Sequence, residues 1–140
     1  MIEWNEQFKT GSDTIDQQHQ MLIHNINHLE CLLTETNPTR ETCGFLIDLI
    51  DYLESYTERH FRFEEDCMEK HRCPAHAKNK QAHGEFMAFF KLFKEETRHK
   101  GFRPDAVRTL HQTISLWIEE HILIVDTQLR PCLKAQAARD

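Results

Sequence analysis

The sequence predicts an all-α protein, an up-down-up-down antiparallel four-helix bundle with an N-terminal arm. Three observations carry this. Four long stretches place apolar residues at spacings of three and four, the periodicity of an amphipathic helix. Short breaks containing proline or glycine separate them, as expected where helices are joined by tight connections. Only four Gly and four Pro occur in 140 residues, and β-branched runs are few.

Residues 1 to about 13 read as an arm, apolar only at Ile2, Trp4 and Phe8 and expected to pack across the bundle. The first helix should run from Asp13 to about Thr36, with a seam of Ile15, His19, Leu22, Ile26, Leu29 and Leu33. Asn37-Pro38-Thr39 breaks the chain and caps the next helix. The second helix, from about Thr39 to His71, carries Leu46, Leu49, Leu53, Tyr56, His60, Phe63 and Cys67 on its seam. Arg72-Cys73-Pro74 is a tight turn whose proline suits the first position of a helix. That third helix continues to about His99 with a seam of Asn79, His83, Phe86, Phe90 and Phe93. Lys100-Gly101-Phe102-Arg103-Pro104 ends it, and Pro104 opens the fourth. There the seam is Val107, Leu110, Ile114, Trp117, His121 and Ile124, followed by Asp126. Pro131 should stop or kink the chain, leaving a short polar tail over 131–140. The bundle itself, about 13–130, and its two extensions make one domain over 1–140.

Composition excludes several classes. A formal charge of −6 without a basic stripe argues against a nucleic-acid or membrane-surface binder. Met1-Ile2-Glu3-Trp4 does not open a signal peptide, and no apolar run reaches spanning length, so the expected compartment is the cytosol. Five cysteines (Cys31, Cys43, Cys67, Cys73, Cys132) at irregular spacing suggest reduced thiols, in or near helix seams, rather than a disulfide framework. Cys67, His71, Cys73 and His76 fall within ten residues but fit no common structural zinc spacing.

The informative anomaly is polar. His60 and Glu64, four apart, project from one face of the second helix, and that face is the apolar one. An imidazole and a carboxylate in a seam are costly to bury unless something pairs with them. Every other seam shows the same anomaly: His19, then Asn79 and His83, then His121 and Asp126. Imidazole nitrogen with carboxylate oxygen suits iron, with zinc and manganese as competitors. Four histidines and two carboxylates exceed the needs of one tetrahedral ion, which suggests two ions bridged by Glu64 and Asp126. Asp126 lies five residues after His121, roughly 140° away on an ideal helix. The fourth helix must loosen there, or Asp126 must reach in from its flank. His24, His28, His71, His99 and His111 fall off the seams and should be solvated.

The pieces Trp4-Asn5, Ile15-Asp16-Gln17-Gln18-His19-Gln20-Met21-Leu22, His60-Phe61-Arg62-Phe63-Glu64-Glu65, Pro74, His83-Gly84-Glu85-Phe86, and Trp117-Ile118-Glu119-Glu120-His121-Ile122 through Asp126 together resemble the bacterial hemerythrins. The resemblance covers nearly the whole chain. It implies two irons in the bundle core, joined by an oxo or hydroxo bridge and two carboxylates, with dioxygen as ligand. By resemblance His19 and His60 serve the O₂-binding iron, His83 and His121 the other, and Glu64 and Asp126 bridge them. Leu22, Phe63, Trp117 and Ile118 are the expected lining of the gas pocket.

One position departs from the family pattern. A HxxxH pair is expected on the third helix, and Asn79-Lys80-Gln81-Ala82-His83 puts asparagine first. Asn79 could be a weak ligand, or stand beside water, hydroxide or an exogenous anion; His76, one turn earlier, is the other candidate to fill the gap. A second open position should make the irons easier to oxidise. That ranks an oxygen or redox sensor first and a reversible O₂ carrier second. An oxidase, peroxidase or NO-consuming enzyme ranks third, since no general acid or base accompanies the ligands. The expected partners are dioxygen, NO or small anions, and a signalling partner or an output domain fused beyond Ala135-Gln136-Ala137-Ala138-Arg139-Asp140.

Overall fold

The computed structural model describes residues 1–34 and 38–139, with side chains for 1–34 and 38–135. Four long helices form the bundle: α1 (Asp13–Leu32), α2 (Arg40–Lys70), α3 (His76–Lys100) and α4 (Pro104–Ile124). A shorter α5 (Leu129–Arg139) comes after a 3₁₀ turn over Asp126–Gln128. Helix α1 packs on α2 and α4, and α2 on α3. The break expected at Asn37 lies outside the described residues, and α1 ends at Leu32, short of the end expected near Thr36.

Local chemistry sets the helix ends. Ser12 Oγ accepts from the Ile15 N–H at 3.3 Å, and Thr39 Oγ1 from the Thr42 N–H at 3.1 Å, each satisfying an orphan donor. Pro104 opens α4 as expected. Pro74 does not open α3. Arg72 adopts φ 52°, the Cys73 N–H bonds Met68 O at 2.8 Å and the Arg72 N–H bonds Glu69 O at 3.0 Å, which is a Schellman closure of α2. The chain needs two more residues to reverse, so Pro74 lies in the turn and α3 starts at His76.

Pro131 is a second correction. It neither stops nor kinks the chain; it is the third residue of α5, inside the first turn, where its missing N–H would have had no intrahelical partner. The polar tail expected to follow it is helical through Arg139, and Leu129 anchors α5, fully buried beside Ile15 and Met68.

The arm is tied down at several points. Ile2 and Phe8 are buried, and Trp4 stacks on Phe8 at 5.4 Å. Asn27 closes a two-way pairing with the Ile2 backbone at 3.0 and 2.8 Å. Asp16 Oδ1 accepts from both the backbone N–H and the hydroxyl of Thr10 at 2.9 Å, and the Arg130 guanidinium donates to the carbonyls of Glu6, Gln7 and Lys9.

The main core joins Leu22, Ile26 and Leu29 of α1, Leu46, Ile50 and Leu53 of α2, Phe86 and Phe90 of α3, and Val107, Leu110 and Ile114 of α4. Each such side chain contributes about 1.5–3 kcal/mol when fully buried. Two seam assignments fail. Phe63 is 43% exposed and Ile124 61%, while Phe61, Ile118 and Ile122 are buried. On α2 the buried stripe runs through Leu53, Thr57, His60, Glu64 and Met68; Phe63 sits roughly 100° from its centre and Phe61 roughly 60°. Among the described residues no helix is long and apolar enough to cross a membrane.

Candidate metal centre

The core is interrupted at one level by a polar cluster drawn from all four long helices and the turn after α4. His19, His60, Glu64, Asn79, His83, His121 and Asp126 are all buried, none more than 7% exposed. Six of these are the residues expected to bind metal, and they fall into two overlapping sets. The donor atoms of His19, His60, Glu64 and Asp126 lie within 4.8 Å of one another, and so do those of Glu64, His83, His121 and Asp126.

Each carboxylate faces both sets. Glu64 Oε2 lies 3.0 Å from His19 Nε2 and 3.2 Å from His60 Nε2, while its Oε1 lies 3.3 Å from His83 Nε2. Asp126 Oδ2 lies 3.1 Å from His19 Nε2, and its Oδ1 lies 3.2 Å from His121 Nε2. One oxygen of each carboxylate is thus turned to each histidine pair.

Asp126 gains this position because α4 does loosen. The helix ends at Ile124, Val125 takes φ −102° and ψ −54°, and Asp126 starts the 3₁₀ turn. Released from the α4 register, it faces inward despite its awkward spacing from His121.

Four features fit cations at these two positions. All four histidines turn Nε2 to the centre. His83 Nε2 and His121 Nε2 stand 3.3 Å apart, two nitrogens of the same kind facing one another. Asp126 Oδ1 is buried without a hydrogen bond among the described residues, although His121 Nε2 approaches it. No thiol enters either set, so the donors are imidazole and carboxylate alone.

Outside the cluster, His60 Nδ1 donates to Gln18 Oε1 at 2.6 Å and His83 Nδ1 donates to Glu65 Oε2 at 2.9 Å. Such outer partners fix which ring nitrogen is free for a metal. Phe61 stacks on His83 at 3.7 Å and 3°, and Trp117 on His121 at 4.2 Å and 11°. Helical periodicity assigns no role to Gln18, Glu65 or Phe61. Each adjoins a seam residue in sequence, and periodicity carries no information about a side chain that reaches around the edge of a seam.

Asn79 is fully buried in the cluster. Its amide donates to Glu64 Oε1 at 2.7 Å, and its Oδ1 lies 2.6 Å from His121 Nε2. Its Nδ2 also contacts Met68 Sδ at 3.3 Å. His76, the other candidate for that place, begins α3 and joins neither set. Cys67, His71, Cys73 and His76 form no convergent set either among the described residues. Leu22 and Ile118 belong to the surrounding core and Trp117 is half-buried, whereas Phe63 points away. His24, His28 and His99 are exposed and His71 and His111 partly so.

The buried carboxylates and the burial itself act in opposite directions on the proton affinities of His19, His60 and His83. Burial alone would discharge His19, but the carboxylates of Asp126 and Glu64 outweigh it and raise its pKa from 6.5 to about 10. Burial opposes ionisation of Glu64, yet His19, His60 and His83 hold its carboxyl well below 4.5. At His60 burial prevails over Glu64 and lowers the pKa. At His83 burial is outweighed by Glu64 and Glu65, and the pKa rises.

These shifts tie stability to pH. The raised His19 pKa stabilises the metal-free fold fully below about 6.5, and this is lost as pH rises through about 10. The lowered Glu64 pKa stabilises it above 4.5, and this is lost as pH falls through the depressed value. Metal-free protein should therefore lose resistance to urea as pH climbs from about 6.5 through about 10, a range where the lowered His60 pKa no longer contributes. A denaturation midpoint that climbs from neutral pH to pH 10 would contradict this pairing.

Comparison with known proteins agrees with the geometry. The Hemerythrin HHE cation binding domain family matches residues 10–133. A bacteriohemerythrin of Stenotrophomonas maltophilia (strain R551-3) is 31% identical over 122 residues, covering 87% of this chain and 74% of its own length. A hemerythrin of Siphonosoma cumanense is 28% identical over 123 residues, covering 88% and 86%. A crystal structure of wild-type hemerythrin shares the fold with a TM-score of 0.78 at 23% identity, over 95% of this chain and 98% of that one.

Proposed function

The chain belongs to the hemerythrin HHE cation-binding family, and on that premise we propose that it holds two irons and binds dioxygen, acting as an oxygen or redox sensor. The observation that carries this reading is the division of each carboxylate's two oxygens between two histidine pairs. When bound, ferrous iron supplies the electrons that dioxygen takes up. The chain does the rest. His19 and His60 would hold one ion and His83 and His121 the other, with Glu64 and Asp126 offering an oxygen to each. Gln18 and Glu65 keep the Nε2 lone pairs of His60 and His83 aimed inward.

Asn79 supports sensing over storage. It turns its amide N–H to Glu64 and offers only an amide oxygen beside His121 Nε2 where the resemblance expects a third imidazole, so each ion would have two imidazoles and a position left to a weaker ligand. Such a position suits O₂, NO or a small anion, and makes lasting oxidation easier. Asp126 supplies an outlet for the signal. It lies in the turn that joins α4 to α5, so a change in its ligation acts directly on α5. Five unpaired thiols suit the reducing cytosol. A carrier is the second reading, favoured by burial of the six groups among Leu22, Phe61, Ile118 and Trp117, which keeps water from the centre.

The test is anaerobic reduction of the iron-loaded protein, then admission of O₂, watched by optical absorption. Prompt, lasting conversion to the diferric state is the expected result. An oxygenated spectrum that persists and disappears on degassing would assign carriage instead.

A further inference from the structure

The two histidine pairs are braced unequally from outside. On one side the outer nitrogen of His60 meets a neutral amide, Gln18 Oε1, at 2.6 Å. On the other the outer nitrogen of His83 meets a carboxylate, Glu65 Oε2, at 2.9 Å. His19 Nδ1 has no hydrogen bond among the described residues, so no charged brace on that side offsets the difference through His19. Glu65 crosses from α2 to reach His83 on α3, and its side chain is only 17% exposed, so water screens the contact weakly. Phe61 lies parallel to the His83 ring at 3.7 Å, which fixes the ring plane with Nδ1 toward Glu65 and Nε2 toward Glu64.

An imidazole that donates to a carboxylate is a stronger base at its other nitrogen than one that donates to an amide. A more basic ligand favours the higher charge on its metal. We propose that Glu65 makes the two metal positions electronically unequal, so that the ion on His83 and His121 is the first to be oxidised. This rests on the di-iron reading and deepens it: Glu65 is a positioning residue that acts through His83 and sets where the first electron leaves. The partially oxidised centre then has a fixed polarity, with the ferric ion beside Glu65 and the ferrous ion on the His19–His60 side.

The test is an anaerobic potentiometric titration of the iron-loaded protein, with electron paramagnetic resonance of the one-electron-oxidised state and iron counted on each sample. Glu65→Gln keeps the length and an acceptor but removes the charge. It should retain two irons while the first oxidation becomes harder by about tenfold in equilibrium, ~59 mV for a one-electron couple. Gln18→Glu places the same charge behind His60 and should make the second oxidation easier by a similar factor, drawing the two steps together. Should Glu65→Gln fail to hold iron, Gln18→Glu still decides the matter. Two irons with both couples unmoved would overturn this inference and leave the di-iron reading intact. A wild-type chain that binds no iron pair would overturn both.

Discussion

Glu64→Gln is expected to strip the protein of nearly all its iron while the four long helices survive. Glu64 is 0% exposed and is, among the described residues, the one whose side chain touches His19, His60, His83 and Asn79 together. Glutamine fills the same volume, so the change opens no cavity. It removes one of the two buried charges able to offset a pair of divalent cations. It also turns an N–H₂ group either on Asn79 Nδ2 or on the histidines, replacing an acceptor by a donor wherever it points. Iron retained after gel filtration should fall below about a tenth of wild type, in line with the tenfold to hundredfold losses typical of far milder changes around metal sites. Far-UV circular dichroism should change little, because Leu22, Ile26, Leu29, Leu46, Leu53, Phe90, Leu110 and Ile114 remain to hold the helices. Without metal the variant should still be weaker, since His19 loses one of its two carboxylates; breaking a buried ion pair costs about 3–5 kcal/mol. Full iron occupancy in Glu64→Gln would remove Glu64 from the centre.

Asn79→His is expected to act in the opposite direction. It supplies a fifth imidazole where Asn79 now lies 2.6 Å from His121 Nε2 and 2.7 Å from Glu64 Oε1. The larger ring must displace Met68, whose Sδ contacts Asn79 at 3.3 Å. Methionine is unbranched and repacks readily, so the fold should accept the exchange. With the open position on the His83–His121 side closed, iron should resist chelators about tenfold longer or more. Oxidation of the oxygenated protein, monitored by stopped-flow absorption, should slow by a similar factor. If the rate is no slower than wild type while both irons are present, Asn79 is not what makes the centre easy to oxidise.

The bundle and the six converging residues are legible in the sequence because both depend on helical phase. A histidine in an otherwise apolar seam is visible at a spacing of three or four, and His19, His60, His83 and His121 each stand out so. Asp126 is legible as a conflict: its spacing from His121 demands a break in α4, and the break lies at Val125. Phase cannot settle a choice between neighbours. Phe61 and Phe63 flank the buried stripe of α2 on opposite sides, and only the crossing of α3 decides that Phe61 meets His83. Proline is ambiguous for a related reason. Pro131 and Pro104 both stand near a helix start, and only the 3₁₀ turn before Leu129 shows that Pro131 begins a helix rather than ends one. Gln18 and Glu65 are hidden because their roles arise between helices, from atoms 42 and 18 residues apart in sequence.

The most direct measurement of a paired centre is an anaerobic titration of metal-free protein with ferrous iron near neutral pH, with proton release recorded alongside binding. The expected result is a break at two irons per chain, accompanied by protons leaving the cluster, because His19 carries one until a metal displaces it. A break at a single iron, or binding without proton release, would contradict a paired centre on these two histidine sets.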